Sequence, residues 1–159
     1  MKITILSVGQ IKEKYIIDCI NEYTKRLSKY TKVEFIKIND EPIPNNPSDK
    51  DLINIKNIEG KKLLEYIKPK DYNIALAIDG IMLDSVELSN KIKDILTYES
   101  SNITFIIGGS LGLSSDVLKS CNYRLSFSKM TFPHKLMQIF LLEQIYRSFK
   151  ILNNETYHK

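Results

Sequence analysis

At 159 residues, 43% hydrophobic and 26% charged, the chain has the size and balance of one globular domain spanning residues 1–159. No run approaches the ~18 apolar residues of a membrane-spanning helix, and "MKITILSVGQIKEKY" turns charged too soon for a secretory leader, so a cytoplasmic protein with no membrane partner is expected. The net charge of +4 is uneven: Lys119 to Lys159 holds seven Lys or Arg against Glu143 and Glu155, leaving the other 118 residues at −1. A localised field of this kind attracts a polyanion, and a solvated basic helix face accounts for it as well.

In chain order, "KITILSV" (Lys2–Val8) reads as a buried strand. "IKEKYIIDCINEYTKRLSKY" follows with Tyr15, Ile16, Cys19, Ile20, Tyr23 and Leu27 at helical spacing. "VEFIKI" (Val33–Ile38) alternates as a strand, and the three prolines of "NDEPIPNNPS" make the next stretch a surface loop. Ser48 and Asp51 have the spacing of a capping box, opening a helix that runs towards Lys68. "YNIALAI" (Tyr72–Ile78) is a second buried strand, and Asp84 with Glu87 caps a helix ending near Tyr98. "ITFII" (Ile103–Ile107) is a strand, "SSDVLKSC" a short helix, and "YRLSFS" (Tyr123–Ser128) the last strand. Pro133 suits the first turn of the closing helix, "HKLMQIFLLEQIYRSFKIL". Cys19 and Cys121 give neither metal spacing nor a disulfide framework, so buried free thiols are expected.

Alternating strands and helices imply an α/β fold, a mainly parallel five-stranded sheet with helices on both faces. Ligands of such sheets bind beyond the carboxyl ends of the strands, which selects the turns "GQIKEK", "NDEP", "DGIMLDS", "GGSLGLSSD" and "SFSKMTFPHK". "GGSLGL" is not a phosphate-binding P-loop, because no G-K-[ST] follows, and Ser110 breaks a G-x-G-x-x-G pattern. Its glycines imply positive backbone angles or close approach of a ligand, and a tight connection explains them equally well. No acidic cluster for Mg²⁺ follows the first strand, and no nucleophile elbow or H-E-x-x-H is present, so no metal is expected. "SFSKMTFPHKL" is unusual for a turn: it lacks glycine and is as apolar as a core strand. Three consecutive turns rich in main-chain donors and apolar side chains suit a flat ligand such as adenine, and S-adenosylmethionine needs no phosphate cradle.

"IGGSLGL", "LSFSKMTFPHKLMQIFLLEQIYRSFKI" and the terminal "YHK" resemble the RlmH family, ribosomal RNA large-subunit methyltransferases of the SPOUT class. The resemblance covers the whole chain, including its opening. It implies a C-terminal trefoil knot that binds S-adenosylmethionine, a homodimer, and ribosomal RNA in the ribosome as substrate, methylated at N3 of a pseudouridine. Matched residue by residue, it implies a cofactor site of Leu76, Gly108, Phe127, Ser128, Lys129, Met130, Thr131 and Phe132.

Methyl transfer to an imide nitrogen needs alignment of donor and acceptor, and a base or a sink for the developing anion. Arg147, Tyr157, His158 and His134 are the candidates, with no one of them assigned the proton. In the family the tail closes over the active site across the dimer, although "NNETYHK" has no apolar periodicity that would tie it to the fold. The closing helix is apolar on more than one side, as a helix with a second partner would be. Two other functions fit parts of the sequence. A non-catalytic ribosome- or RNA-binding module would use the basic segment without affinity for S-adenosylmethionine. A nucleotide-sensing domain would use "GGSLGL" for phosphate and require Mg²⁺.

Overall fold

A computed structural model describes residues 1–159. Five strands form one sheet: β1 (Lys2–Val8), β2 (Lys32–Ile38), β3 (Tyr72–Met82), β4 (Asn102–Ile107) and β5 (Tyr123–Ser126). Their order across the sheet is β2-β1-β4-β3-β5, and every pairing is parallel. The helices are α1 (Lys14–Leu27), α2 (Asp49–Leu64), α3 (Ser85–Asp94), α4 (Ser115–Ser120) and α5 (His134–Leu152), and α3 continues as a π-helical turn over Ile95–Glu99. None of them is long and apolar enough to cross a membrane.

The inner strands β1 and β4 are largely apolar without alternation because both faces are covered, whereas the edge strand β2 alternates. Ile3 and Ile5 join Ile74, Ile103 and Phe105 under α1, α3 and α5, while Leu6 and Val8 join Ala75 and Ile106 under α2 and α4. Both expected capping boxes are present, Ser48 with Asp51 and Asp84 with Glu87. Helix α2 stops at Leu64, short of Lys68, because the chain turns ahead of Pro69, which disfavours helix in the residue before it.

Two corrections bear on the site. Strand β3 does not end at Ile78 but continues to Met82 with a break in register: Leu76 and Ile81 both pair with Leu125, so the residues between them bow out of the ladder. Gly80 serves this close approach, since a Cβ there would lie 2.7 Å from the Arg124 carbonyl oxygen. Strand β5 ends at Ser126, two residues before Ser128, which frees the segment from Phe127 to Pro133 to leave the sheet. A third correction concerns the thiols: Cys19 is exposed and Cys121 only half-buried. The buried stripe of α1 runs through Ile16, Ile20 and Leu27, and Cys19 falls to one side of it.

Candidate functional site

The carboxyl ends of β3, β4 and β5 surround a cavity of about 640 Å³. Its walls are Leu76–Asp79 of β3, the turn Gly108–Leu113 after β4, and the segment from Leu125 to His134 except Lys129. Of the eight residues that the resemblance implies for a cofactor, Leu76, Gly108, Phe127, Ser128, Met130, Thr131 and Phe132 line this one cavity. Lys129 does not; it is exposed and lies outside the lining.

The glycine-free turn is built by serines. The buried Ser126 hydroxyl donates to the Ser128 carbonyl at 3.1 Å, and the Met130 N–H donates to the Ser128 hydroxyl at 3.0 Å. Local side-chain bonds of this kind replace the turn chemistry that Gly or Asn usually supplies. The apolar side chains are then free to form wall, with Phe132 edge-on to Phe140 at a centroid distance of 5.9 Å.

The glycine turn closes on itself. The Gly112 N–H donates to the Gly109 carbonyl at 3.1 Å, and Gly112 sits at φ +80°, the left-handed region. A Cβ on Gly108 would lie 2.7 Å from the Gly112 carbonyl carbon. Gly108 is therefore needed for the turn's own closure, whether or not a ligand approaches it.

His134 also lines the cavity. It is half-buried, with Nε2 3.3 Å from where a Cβ of Gly9 would stand. Burial and the neighbouring Lys135 push its pKa down, so the ring is neutral at pH 7. Lys135 itself pairs with Glu13 at 2.6 Å.

Arg147, Tyr157 and His158 gather elsewhere. Glu143 accepts from Arg147 Nε at 3.1 Å and Nη2 at 2.7 Å, and from the Tyr157 hydroxyl at 3.0 Å. The guanidinium lies 4.7 Å from the centre of the Tyr157 ring, and its Nη1 is 3.2 Å from His158 Nδ1. None of the three lines the cavity of their own chain. Glu143 was invisible as a site residue in the sequence, although its four-residue spacing from Arg147 was a signal for the pair. Partial burial and Glu143 raise the Tyr157 pKa, so the phenol keeps its proton at neutral pH; Glu143 likewise raises that of Arg147.

The tail is docked, which corrects the expectation that nothing in the fold ties it down. Asn154 takes a left-handed conformation (φ 54°) after α5, a usual helix exit for Asn. Glu155 then receives Lys150 at 2.6 Å, the Tyr30 hydroxyl at 2.8 Å and Lys29 at 3.0 Å, which lower its carboxyl pKa to about 2. Tyr157 packs edge-on against Tyr146 at 5.0 Å. These ion pairs also trim the basic field: Lys135, Arg147 and Lys150 are neutralised locally, while the exposed Lys119, Arg124 and Lys129 make no ion pair.

Comparison with known proteins places the chain in a family. Residues 1–158 match the family described as "Predicted SPOUT methyltransferase". A protein of Clostridium novyi (strain NT), "Ribosomal RNA large subunit methyltransferase H", is 54% identical over 159 residues, covering the whole of both chains. Its namesake in Clostridium tetani (strain Massachusetts / E88) is 52% identical over the same full lengths. Among solved structures, the tRNA (m1G37) methyltransferase of Aquifex aeolicus superposes with a TM-score of 0.55 at 16% identity, over 92% of this chain and 70% of that one, a likeness of fold.

Proposed function

This chain belongs to the SPOUT methyltransferase family, and from that premise we propose that it methylates large-subunit ribosomal RNA, at N3 of a pseudouridine, with S-adenosylmethionine as methyl donor. The observation that carries the reading is the cavity at the ends of β3, β4 and β5, which gathers seven of the eight implied cofactor residues from three separate segments. Its volume is that of a small-molecule site, and its walls are apolar with main-chain polar groups between them, which fits an adenine and a thioether chain. S-adenosylmethionine supplies a methyl group on a sulfonium, an electrophile that needs alignment more than activation. Leu76, Phe127 and Phe132 exclude water, and the Gly108–Leu113 turn presents main chain to the ligand. The segment after β5 is read as part of the knot, in one domain over residues 1–159.

The acceptor side is supplied by Arg147, Tyr157 and His158. Arg147 is a permanent cation and the Tyr157 phenol a proton donor, so both suit a developing uracil anion rather than the removal of its proton. Glu143 holds them as a unit. The cluster lies off its own chain's cavity, and the cavity rim exposes Met130, Phe132 and, nearby, Ile81 and Phe140. A second copy covering this apolar rim would bury it and bring its own tail to the cavity, so the active unit is a homodimer. The place of action is the cytoplasm, where ribosomes are.

Incubation with tritiated S-adenosylmethionine and ribosomes lacking the modification, followed by mapping of the label, tests the reading. Label on one large-subunit pseudouridine is expected. Binding to ribosomes with no affinity for S-adenosylmethionine would replace it with a non-catalytic RNA-binding role.

A further inference from the structure

Glu59 is one of only two buried carboxylates in the chain, 5% exposed, and it lines neither cavity wall nor ion pair. It sits on α2, behind the turn that forms the cavity's β4 wall. One of its oxygens accepts the backbone N–H of Glu41, in the loop after β2, at 3.0 Å. The carboxylate also stands beside Gly109, where an added Cβ would lie 3.6 Å from both of its oxygens and 3.2 Å from Val8 Cγ1. The next residue, Gly60, meets the Ser114 hydroxyl so closely that a side chain there would collide with it. Ser114 is itself buried and caps α4 by accepting the Val117 N–H. Glu59 and Gly60 thus press α2 against both ends of the segment from Gly109 to Ser114.

Burying a carboxylate is costly unless it is well partnered. Here burial, with Asp40 and Glu41 nearby, raises the pKa, and the Glu41 amide and Lys62 offset this only in part. An apolar residue would fill the space at less cost if filling were all that the position required. What an apolar residue cannot do is accept the Glu41 N–H while occupying the space beside Gly109.

We propose that Glu59 is a positioning residue for the cofactor site: bonded to the Glu41 amide and packed beside Gly109, its carboxyl group holds the Gly108–Gly112 main chain in the form that binds S-adenosylmethionine. The proposal rests on the cofactor reading of the cavity. It assigns the work to the oxygen acceptor and the shape of the group, not to its charge.

The test is calorimetric affinity for S-adenosylmethionine in the full-length protein, with amide hydrogen exchange over residues 108–113 as second readout. Glu59→Ala is expected to weaken binding by about tenfold or more, the scale of one lost buried interaction, and to speed exchange in that turn. Glu59→Gln keeps the acceptor and the shape, and is expected to bind within about threefold of the parent, a difference under ~0.7 kcal/mol. Asp71→Ala, at the other buried carboxylate and the opposite end of β3, controls for general loosening and should leave affinity unchanged. If Glu59→Ala does not fold, Glu59→Asp decides, because its carboxylate is one methylene too short to span Glu41 and Gly109 together, and weakened binding is again expected. Parental affinity in a folded Glu59→Ala or Glu59→Asp protein would overturn the proposal, as would Glu59→Gln failing as badly as alanine or Asp71→Ala losing affinity equally. A parent protein that does not bind S-adenosylmethionine would overturn the cofactor reading itself, and this inference with it.

Discussion

The Tyr157 hydroxyl donates to Glu143 Oε1 at 3.0 Å, and the same oxygen receives two nitrogens of Arg147. One carboxylate atom therefore fixes the tail to α5 and sets the distance between a cation and a phenol. Removing Glu143 would take this shared acceptor from both Arg147 and Tyr157.

Deleting Tyr157 to Lys159 is expected to leave affinity for S-adenosylmethionine unchanged and to lower methyl transfer by about a hundredfold or more, equal to ~2.7 kcal/mol or more of lost positioning and charge stabilisation. Because Tyr157 packs on Tyr146 and bonds Glu143, a modest fall in thermal midpoint should accompany it. Single-turnover kinetics with labelled cofactor, beside a melting curve, measure both. Full transfer by the truncated protein would move the acceptor chemistry back to His134.

Gly108→Val is expected to abolish cofactor binding and also to lower stability, because its side chain meets the Gly112 main chain 2.7 Å away. Gly112→Ala should be milder. Open space surrounds that position, so only the left-handed backbone is strained, at roughly 1–2 kcal/mol. Calorimetry and denaturant titration of the two variants distinguish a lost wall from a strained hinge.

If a second copy supplies the tail, two inactive proteins should rescue each other. Thr131→Trp fills the cavity from an exposed position on its lining, and the Tyr157–Lys159 deletion removes Tyr157 and His158 from the acceptor cluster. Mixed after dissociation, half of the dimers would be heterodimers with one complete site each, giving about a quarter of parental activity. No recovery, in a mixture shown by mass spectrometry to contain heterodimers, would place cavity and tail in the same chain.

His134 makes a pH prediction with a definite sign. Its folded pKa lies below the ordinary value of 6.5, so the folded state binds fewer protons than the unfolded one. The stability it contributes is complete above that value and is lost as pH falls through the folded pKa. His134→Gln should flatten this part of the stability-versus-pH curve. Urea midpoints of both proteins between pH 8 and about 5 measure it.

Much of the fold was legible because burial leaves a strong mark on strands. "KITILSV" and "ITFII" are apolar without alternation, and both capping boxes are four-residue signals that depend on nothing distant. What escaped depends on partners far along the chain. The break in β3 exists because Leu76 and Ile81 both meet Leu125, and no local pattern encodes that coincidence. The docked tail escaped for the same reason: Glu155 is held by Lys29 and Tyr30, more than a hundred residues away. Glu59 sits among Gly, Lys and Leu in a helix of weak periodicity, where it reads as one more solvated acid. Of the cavity lining, the turn from Phe127 to Phe132 announced itself by an apolar composition that turns rarely have, whereas Ala77 and Ile78, which read as the end of a buried strand, line the cavity because β3 bows out after Leu76.

The strand order has a consequence for how the molecule is made. Strand β1 lies between β2 and β4, paired from Lys2 to Asn102 at one end and from Ser7 to Ile107 at the other. During synthesis the amino-terminal third can form only the β1–β2 pair with α1, leaving one long edge of β1 bare until residue 107 has emerged. Parallel pairing over such a separation is slow, because loop closure precedes any reward from contact. A growing chain in this condition offers its unsatisfied edge to every neighbour on the same message. Nascent-chain aggregation should therefore peak in fragments ending between α2 and β4, and fall once β4 is added.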